Sequence, residues 1–191
     1  MRMKKIIVYP DKNLRNETPE LFEVDKKILS EIKSLSQILE KGENAAGLAA
    51  PQIGLNRRFF GIKDNELDKV SIFINPKIVK KFGEKIFPKI IDKDDRDQDF
   101  FEGCMSFPNY FGTVKRYLKL RVSWQEIENN KLVTKNKDIV GFEAIVFQHE
   151  FDHLNGVLFV DRVKEDGGKF FKSVNEKMIV WSLDKVIDGQ L

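Results

Sequence analysis

The sequence is poor in the residues from which disulfides and histidine-rich metal sites are built. Its 191 residues include one cysteine, Cys104, and two histidines. A single cysteine cannot form a disulfide within the chain, which is typical of proteins from a reducing compartment. Two imidazoles are too few ligands for a metal site, so a site built on them needs a partner from elsewhere in the chain.

Long apolar runs and a strong charge bias are also absent. The opening MRMKKIIVYP is basic and then apolar, but its apolar part is shorter than the core of a signal peptide. No stretch suggests a membrane span, and a formal net charge of +3 is too small to indicate stable nucleic-acid binding. We therefore expect residues 1–191 to form a single soluble domain in the cytoplasm, or in an organelle if a leader has been removed.

Hydrophobic periodicity predicts an N-terminal helix and an inner helix. Across residues 24–40, apolar side chains recur at helical spacing on one face, with charges opposite. Residues 142–154 contain no helix breaker and are bounded by Gly141 and Gly156. Residues 169–187 also fit a helical spacing, so a C-terminal helix is expected.

The rest of the chain favours strands and loops. Candidate strands are residues 57–63, 71–80, 85–91 and 113–124, the last of which alternates with period two. GLAAPQIG (47–54) indicates a loop or an irregular strand. The acidic run DKDDRDQD (92–99) predicts a solvated loop, because its acids lack the spacing of a calcium loop. Together these patterns predict an α+β fold with mostly antiparallel sheets.

Both histidines lie in QHEFDHLNG (148–156), four positions apart. On a helix each residue turns about 100°, so His149 and His153 point within about 40° of each other and can share one cation. Glu150 flanks this direction and could touch a water bound to the metal without being a ligand, as a general base requires. HExxH patterns also arise by chance, so a third ligand has to be found.

Three arrangements of the third ligand can be compared. In the extended pattern HExxHxxGxxH, Gly156 falls on the glycine, but Phe159 occupies the last histidine position and excludes this variant. A downstream glutamate, Glu165 or Glu176, would give a peptidase-type site. Cys104, in EGCMSFP, would give a Cys, His, His set with a fourth position open for water. A lone cysteine is also commonly an inert core residue, so the residues alone leave these alternatives open.

Three short motifs resemble those of peptide deformylases. The family's signature segments are a glycine-rich GLAAPQ segment, EGC followed by Leu and Ser, and QHExDH. This sequence has AAGLAAPQ (45–52), EGCMS (102–106) and QHEFDH (148–153), in that order. The similarity extends from about Ile6 to Arg162. The expected fold is therefore α+β, with mostly antiparallel sheets around a central metal-binding HExxH helix.

The resemblance implies a metal-dependent hydrolase. Its metal would be one divalent ion held by Cys104, His149 and His153: Fe2+ in the cell, with Zn2+, Ni2+ or Co2+ as ions that purified protein could carry. The implied substrate is the N-formyl group on the initiator methionine of newly made polypeptides. Metal-bound water would attack the formyl carbon, with Glu150 as general base and then acid, and formate would be released.

The resemblance also assigns charge stabilisation and partners. The negative charge that develops on the formyl oxygen would be met by the Gln52 side-chain amide and the Met105 backbone N–H. Glu102 and Arg116 match a family ion pair behind the cysteine. The implied partners are N-formylmethionyl nascent peptides, with a transient ribosome contact, and the chain is expected to be a monomer.

An apolar pocket for the methionine side chain and a backbone segment along the peptide are also implied. The residues concerned are Ala45, Ala46, Gly47, Phe100, Phe142, Ile145 and Val146. This sequence departs from the family at several positions. Ala45 replaces a glycine, Ala46 replaces a larger aliphatic residue and so could widen the pocket, and Phe111 stands where many relatives carry an arginine that meets the peptide downstream. Peptide preference and catalytic efficiency therefore stay open, as do two rival functions: an HExxH peptidase and a binding protein without turnover.

Overall fold

The computed structural model describes residues 5–42, 45–64, 69–91 and 97–187, which contain four α-helices and three antiparallel sheets. The helices are α1 (Lys26–Lys41), α2 (Gly141–Leu154), α3 (Phe159–Asp166) and α4 (Leu183–Ile187). None of the helices in these residues has the length and apolar character needed to cross a membrane. The predicted α+β class with mainly antiparallel sheets is confirmed.

Eleven strands build the sheets of the described residues. They are β1 (Gly47–Ala49), β2 (Phe59–Asp64), β3 (Lys69–Phe82), β4 (Lys89–Ile91), β5 (Asp97–Asp99), β6 (Glu102–Cys104), β7 (Phe107–Gly112), β8 (Lys119–Glu128), β9 (Lys131–Val140), β10 (Phe170–Val174) and β11 (Lys177–Val180). The largest sheet has the order β1-β2-β3-β8-β9, the second has the order β11-β10-β7-β6, and β4 pairs with β5. The strands predicted at 57–63 and 71–80 are confirmed as β2 and β3, whereas the one predicted at 85–91 shrinks to β4.

Helix α1 confirms the prediction for residues 24–40. Asp25 caps its N-terminus, because Oδ1 accepts a hydrogen bond from the backbone N–H of Ile28 at 2.7 Å. Its apolar face buries Leu35 and Leu39 fully, in a cluster that also contains Phe59 of β2. The helix therefore packs on the β1, β2 and β3 side of the five-stranded sheet.

Helix α2 is the inner helix of the fold, as predicted for residues 142–154. Ten of its 14 residues are buried, and it contacts β1, β2, β8 and β9 of the five-stranded sheet. The Phe147 ring packs edge-on against Phe60 and Phe73, with ring centroids 5.1 and 5.5 Å away. At about 100° per residue, His149 and His153 lie on the other side of the helix from Phe147. The core contact thereby directs both histidines away from this sheet.

The four-stranded sheet packs its inner face against α3. Phe107 of β7 meets Phe159 of α3 at a centroid distance of 5.2 Å, and Tyr110 stacks on Phe170 of β10 at 5.6 Å. These rings belong to one buried cluster, in which Cys104 is partly buried. This packing holds β6, the strand that ends at Cys104.

The C-terminal segment departs most from its prediction. Residues 169–187 do not form one helix, because β10 and β11 make a hairpin and only the five residues of α4 are helical. Asn175 and Glu176 between the strands have φ values of 47° and 64°, as in a two-residue hairpin turn. Since β10 also pairs with β7, hydrogen bonding along a sheet edge overrides the helical spacing of the apolar residues.

The strand predicted at residues 113–124 is only partly correct. Strand β8 begins at Lys119, and Leu118 is 36% exposed although the pattern places it on the buried face. The chain before β8 leaves the sheet where the Arg116 side chain turns inward to Glu102 and Asp152. Alternation cannot reveal this departure, because it depends on residues distant in sequence.

The acidic run DKDDRDQD is also partly strand. Its residues 92–96 lie outside the described part of the chain, whereas Asp97–Asp99 form β5 and pair with β4. The loop prediction is therefore wrong for these three residues. Asp99 accepts hydrogen bonds from Lys89 and from Lys169, the latter at 2.8 Å, which ties the strand to its surroundings.

Candidate metal centre and active site

The two histidines of α2 meet Cys104 at the end of β6. The Cys104 sulfur lies 3.3 Å from Nε2 of His153, and the two imidazole centroids are 5.1 Å apart. One ligand atom from each of the three residues lies within 4.8 Å of the others. The histidines are buried and the cysteine is half-buried. Groups from two distant parts of the chain thus form a set that could hold one metal ion.

The surroundings of Cys104 favour its thiolate. Burial by itself would raise the pKa of the thiol, but the neighbouring His153 and His149 outweigh burial and lower the pKa to about 5. For His149, burial would lower the pKa, but hydrogen bonds with Cys104 and Glu102 raise it well above its usual value. Because the thiolate is the form of cysteine that binds metals, the site is prepared for a cation.

Glu102 connects His149 to a buried arginine. Its Oε2 lies 3.0 Å from Nδ1 of His149, and its two oxygens accept hydrogen bonds from Arg116 at 2.7 and 2.9 Å. Burial alone would raise the pKa of Glu102, but Arg116 and His149 hold it at about 2. The ionised carboxylate occupies Nδ1 of His149 and leaves Nε2 as the ring nitrogen available to a metal.

Asp152 extends this network on the next turn of α2. Its Oδ2 accepts a hydrogen bond from Arg116 at 2.6 Å, and its Oδ1 accepts one from Arg162 of α3 at 2.7 Å. Burial would raise the pKa of Asp152, but the two arginines lower it. The network therefore ties α2, α3 and the chain before β8 together directly behind the metal-binding candidates.

Gln52 lies beside the cysteine in a 3₁₀ turn, Ala50–Ile53, that follows β1. Its Oε1 accepts a hydrogen bond from the backbone N–H of Ala49 at 2.8 Å, so the orientation of the amide is determined. Its Nε2 donates to the Cys104 sulfur at 3.4 Å and to Oγ of Ser106 at 3.3 Å. The donor end of a buried amide is thereby directed at the candidate metal site.

Glu150 follows His149 in the sequence, and its side chain is buried. Its Oε2 has no hydrogen-bond partner among the described residues. Burial raises the pKa of Glu150 to about 7, although His149 and His153 act in the opposite direction. Gly47 of β1 makes room for this side chain, since a Cβ there would lie 2.6 Å from Oε1. A carboxyl group with such a pKa can accept and return a proton near neutral pH.

An apolar cleft of about 650 Å³ opens beside these groups. It is lined by all seven residues predicted to contact substrate: Ala45, Ala46, Gly47, Phe100, Phe142, Ile145 and Val146. Met105, Cys104 and Glu150 line the same cleft, and the rings of Phe100 and Phe142 meet edge to face with centroids 6.0 Å apart. Their substrate-binding roles stay predictions, because the cleft shows only where these residues lie.

The alternative third ligands lie elsewhere. Glu165 accepts a hydrogen bond from Arg162 at 2.7 Å and its side chain is 59% exposed. Glu176 is exposed in the turn between β10 and β11. The only cluster of three metal-ligand side chains found among the described residues is Cys104 with the two histidines.

The donor set fits a divalent transition metal. One thiolate and two imidazoles are ligands that suit both Zn2+ and Fe2+. Three protein ligands are typical of catalytic sites, in which a fourth position serves water or substrate. Glu150 and Gln52 provide an unpartnered carboxylate oxygen and a donor beside this set. The arrangement can therefore combine a cation, a proton acceptor and a hydrogen-bond donor at one end of an apolar cleft.

Sequence reasoning missed the residues that support the site from a distance. Arg162 was noted only as part of a similar segment, yet it binds Asp152, and Ser106 receives a hydrogen bond from Gln52. Phe101 lines the cleft without having been singled out. Ser106 is the last residue of the EGCMS motif, which is the sequence signal for its position near Cys104. Arg162 has no such signal, because it reaches the site only through the packing of α3.

A family model of polypeptide deformylase matches residues 3–168. The chain belongs to the peptide deformylase family. Peptide deformylase 2 of Clostridium acetobutylicum is 36% identical over 165 residues, which cover 86% of this chain and 98% of that relative. The peptide deformylase of Desulfotalea psychrophila is 30% identical over 189 residues, which cover 97% of this chain and 100% of that relative.

The fold is similar to that of solved deformylases. The crystal structure of peptide deformylase from Thermotoga maritima superimposes with a TM-score of 0.71 at 31% identity, covering 85% of this chain and 98% of that one. The family is metal-dependent, and this chain has a cluster of three side chains that could bind a metal. Like its family, the protein is a hydrolase that removes the N-formyl group from newly made polypeptides.

Proposed function

We propose that the protein deformylates the initiator methionine with Glu150 as the proton carrier and Cys104, His149 and His153 as metal ligands. The observation that supports this assignment is the buried, unpartnered Oε2 of Glu150 beside the only Cys, His, His cluster of the described residues. A divalent cation held there would supply Lewis-acid activation of water and of the formyl carbonyl.

Glu150 moves the proton. Its carboxylate accepts the proton of the attacking water and then gives it to the nitrogen of the departing amine, so that formate and a free N-terminus result. A pKa raised by burial to about 7 suits both steps, because a general base must bind the proton and then release it. Gly47 keeps the space in which this side chain lies.

Gln52 and Met105 meet the negative charge on the formyl oxygen. The Gln52 amide is oriented by its bond to Ala49, so its N–H end needs no rearrangement when charge develops. Met105 follows Cys104 directly and lines the cleft, which supports the assignment of its backbone N–H as the second donor. Removing one such donor from a hydrolase costs about 10²–10³-fold in kcat.

The methionine side chain occupies the apolar part of the cleft. The rings of Phe100 and Phe142 meet edge to face and line the cleft. Ile145 and Val146 of α2 line it as well, together with Ala46. A thioether is flexible and makes favourable contacts with aromatic rings, so this lining suits methionine. The Ala45 and Gly47 backbone lies along the peptide.

The cellular setting follows from the same chemistry. The metal is Fe2+ in the cell, and Zn2+, Ni2+ or Co2+ can replace it in purified protein, because a thiolate with two imidazoles accepts all four. The protein acts in the cytoplasm as a monomer on formylmethionyl nascent peptides. Its contact with the ribosome is transient, since a net charge of +3 offers little nonspecific attraction to RNA.

Hydrolysis of formyl-Met-Ala-Ser by metal-replete protein, prepared without oxygen, tests the assignment. We expect formate release, a loss of about 10²–10⁴-fold in kcat for Glu150→Gln with metal still bound, and weaker metal binding for Cys104→Ser. Glu165→Gln is the matched control and should keep both properties. Cleavage between the amino acids would support a peptidase instead, and full metal occupancy of Cys104→Ser would contradict the ligand set.

A further inference from the structure

One face of the four-stranded sheet continues the cleft outward. Gly103 of β6 lies opposite Phe111 of β7, and Phe111 lies opposite Phe171 of β10. Phe171 in turn lies opposite Val180 of the edge strand β11. Residues directly opposite each other in antiparallel strands present their side chains on the same face. These residues therefore form a row across the sheet that begins next to Cys104.

Ring contacts make this row continuous with the cleft. Phe101 and Phe111 line the cleft, and a Cβ on Gly103 would lie 2.9 Å from the Phe111 ring, so this ring lies directly over the glycine. The Phe101 ring meets Phe171 edge to face, with centroids 5.0 Å apart. The apolar surface thus reaches from the cleft to the C-terminal hairpin.

The row carries no charge and is partly exposed to solvent. Phe101 is 37% exposed and Val180 is 80% exposed, while Phe111 and Phe171 are half-buried. Within β6, β7, β10 and β11, every residue of which the structure describes, no charged side chain points to this face. We call Phe101, Phe111, Phe171 and Val180 the apolar shelf. Exposed apolar surface that adjoins a binding cleft is typical of a recognition site.

We propose that the apolar shelf binds the residues that follow formylmethionine in the substrate and selects apolar over acidic side chains there. The inference rests on the proposed function, because it takes the formyl group to lie beside Cys104 and Glu150. Neighbouring strands are about 4.8 Å apart, so Phe171 lies about 10 Å and Val180 about 14 Å from β6. An extended peptide advances about 3.4 Å per residue, which brings its second to fourth residues onto the shelf.

The outer half of the shelf lies in the C-terminal segment. Phe171 and Val180 follow residue 168, where the match to the family model ends. Phe171 acts on the peptide directly and also positions Phe101 through the contact between their rings. A hairpin added to the sheet edge thereby contributes to substrate selection at a cleft that the other elements form.

Two peptides test the selectivity: formyl-Met-Ala-Leu-Leu and formyl-Met-Ala-Glu-Glu. For the unaltered protein, we expect kcat/KM to favour the leucine peptide about tenfold, because each leucine buries apolar area on the shelf. Val180→Ser and Phe171→Ser should lower this ratio. Val180 is too exposed for its replacement to threaten folding, and circular dichroism would check the fold of Phe171→Ser. Ile179→Ser is the matched control, since Ile179 is 40% exposed on the opposite face of β11 and should leave the ratio unchanged.

A ratio near one in the unaltered protein, or an equal loss in Val180→Ser and Ile179→Ser, would overturn the proposal. A concentration-dependent dimer that Val180→Ser dissociates would assign the shelf to a second copy of this chain and would overturn it as well. If both peptides release formate at equal kcat/KM, the proposal for the apolar shelf is refuted and the proposed function stands. If no formylated peptide releases formate, the proposed function has failed, and the shelf with it.

Discussion

Replacing Gly47 by alanine would place a methyl group against the side chain of Glu150. A Cβ built at this position lies 2.6 Å from Oε1, 2.8 Å from Cγ and 2.9 Å from Cδ of Glu150. Nonbonded carbon atoms are normally about 3.5–4.0 Å apart, so the glutamate has to retreat by roughly 1 Å. Because three of its atoms are crowded, rotating the carboxylate alone does not relieve the contact.

This displacement should be visible in turnover rather than in metal binding. A misplacement of about 1 Å at a reacting group can cost about 10²-fold in rate, and we expect kcat for formyl-Met-Ala-Ser to fall by about that factor in Gly47→Ala. Metal content should not change, since the nearest atoms to the added methyl group all belong to Glu150. Steady-state kinetics and metal analysis on the same preparation measure both quantities.

Gly83→Ala is the control for a general loss of stability. Gly83 has φ 71°, which costs an alanine about 1–2 kcal/mol, but a Cβ there meets nothing within 4 Å. This variant should melt earlier and keep its kcat. If the Gly47 methyl acts through Glu150, adding Gly47→Ala to Glu150→Gln should slow the enzyme no further. A loss of the same factor in both backgrounds would refute the reasoning.

From the sequence, the reacting residues can be predicted more fully than the surrounding elements that support them. His149, Glu150 and His153 can be grouped from helix geometry alone, because their spacing is local. The third ligand is not local, and only the similarity of EGCMS to a family motif favoured Cys104 over the downstream glutamates. In the fold, β6 packs against α3, and the Cys104 sulfur at the end of β6 comes within 3.3 Å of His153 on α2.

The supporting elements depend on contacts that no local pattern carries. Arg116 interrupts the alternation of its predicted strand because its side chain turns to Glu102 and Asp152. The C-terminal apolar residues have helical spacing, yet β10 pairs with β7 and so adds a strand to the sheet. Both departures have the same cause: partners distant in sequence outweigh a short-range preference.

Three further outcomes are expected. Removing the metal with a chelator should lower the melting temperature, since a ligand of the folded state stabilises it, and Cys104→Ser should show a smaller shift. Ala46→Ile should narrow the cleft and lower kcat/KM for formyl-Phe relative to formyl-Met peptides. Arg116→Leu should destabilise the protein by about 3–5 kcal/mol in urea unfolding, because Arg116 is 2% exposed and its loss removes both hydrogen bonds that the guanidinium donates to the buried Glu102 carboxylate. The control is Arg121→Leu, which removes the ion pair between Arg121 and Asp138. The Arg121 side chain is 53% exposed, so this variant should unfold at nearly the same urea concentration as the unaltered protein. Equal losses in the free energy of unfolding would show that burial of the Glu102 carboxylate does not depend on Arg116. The support for His149 would then have to come from another part of the fold.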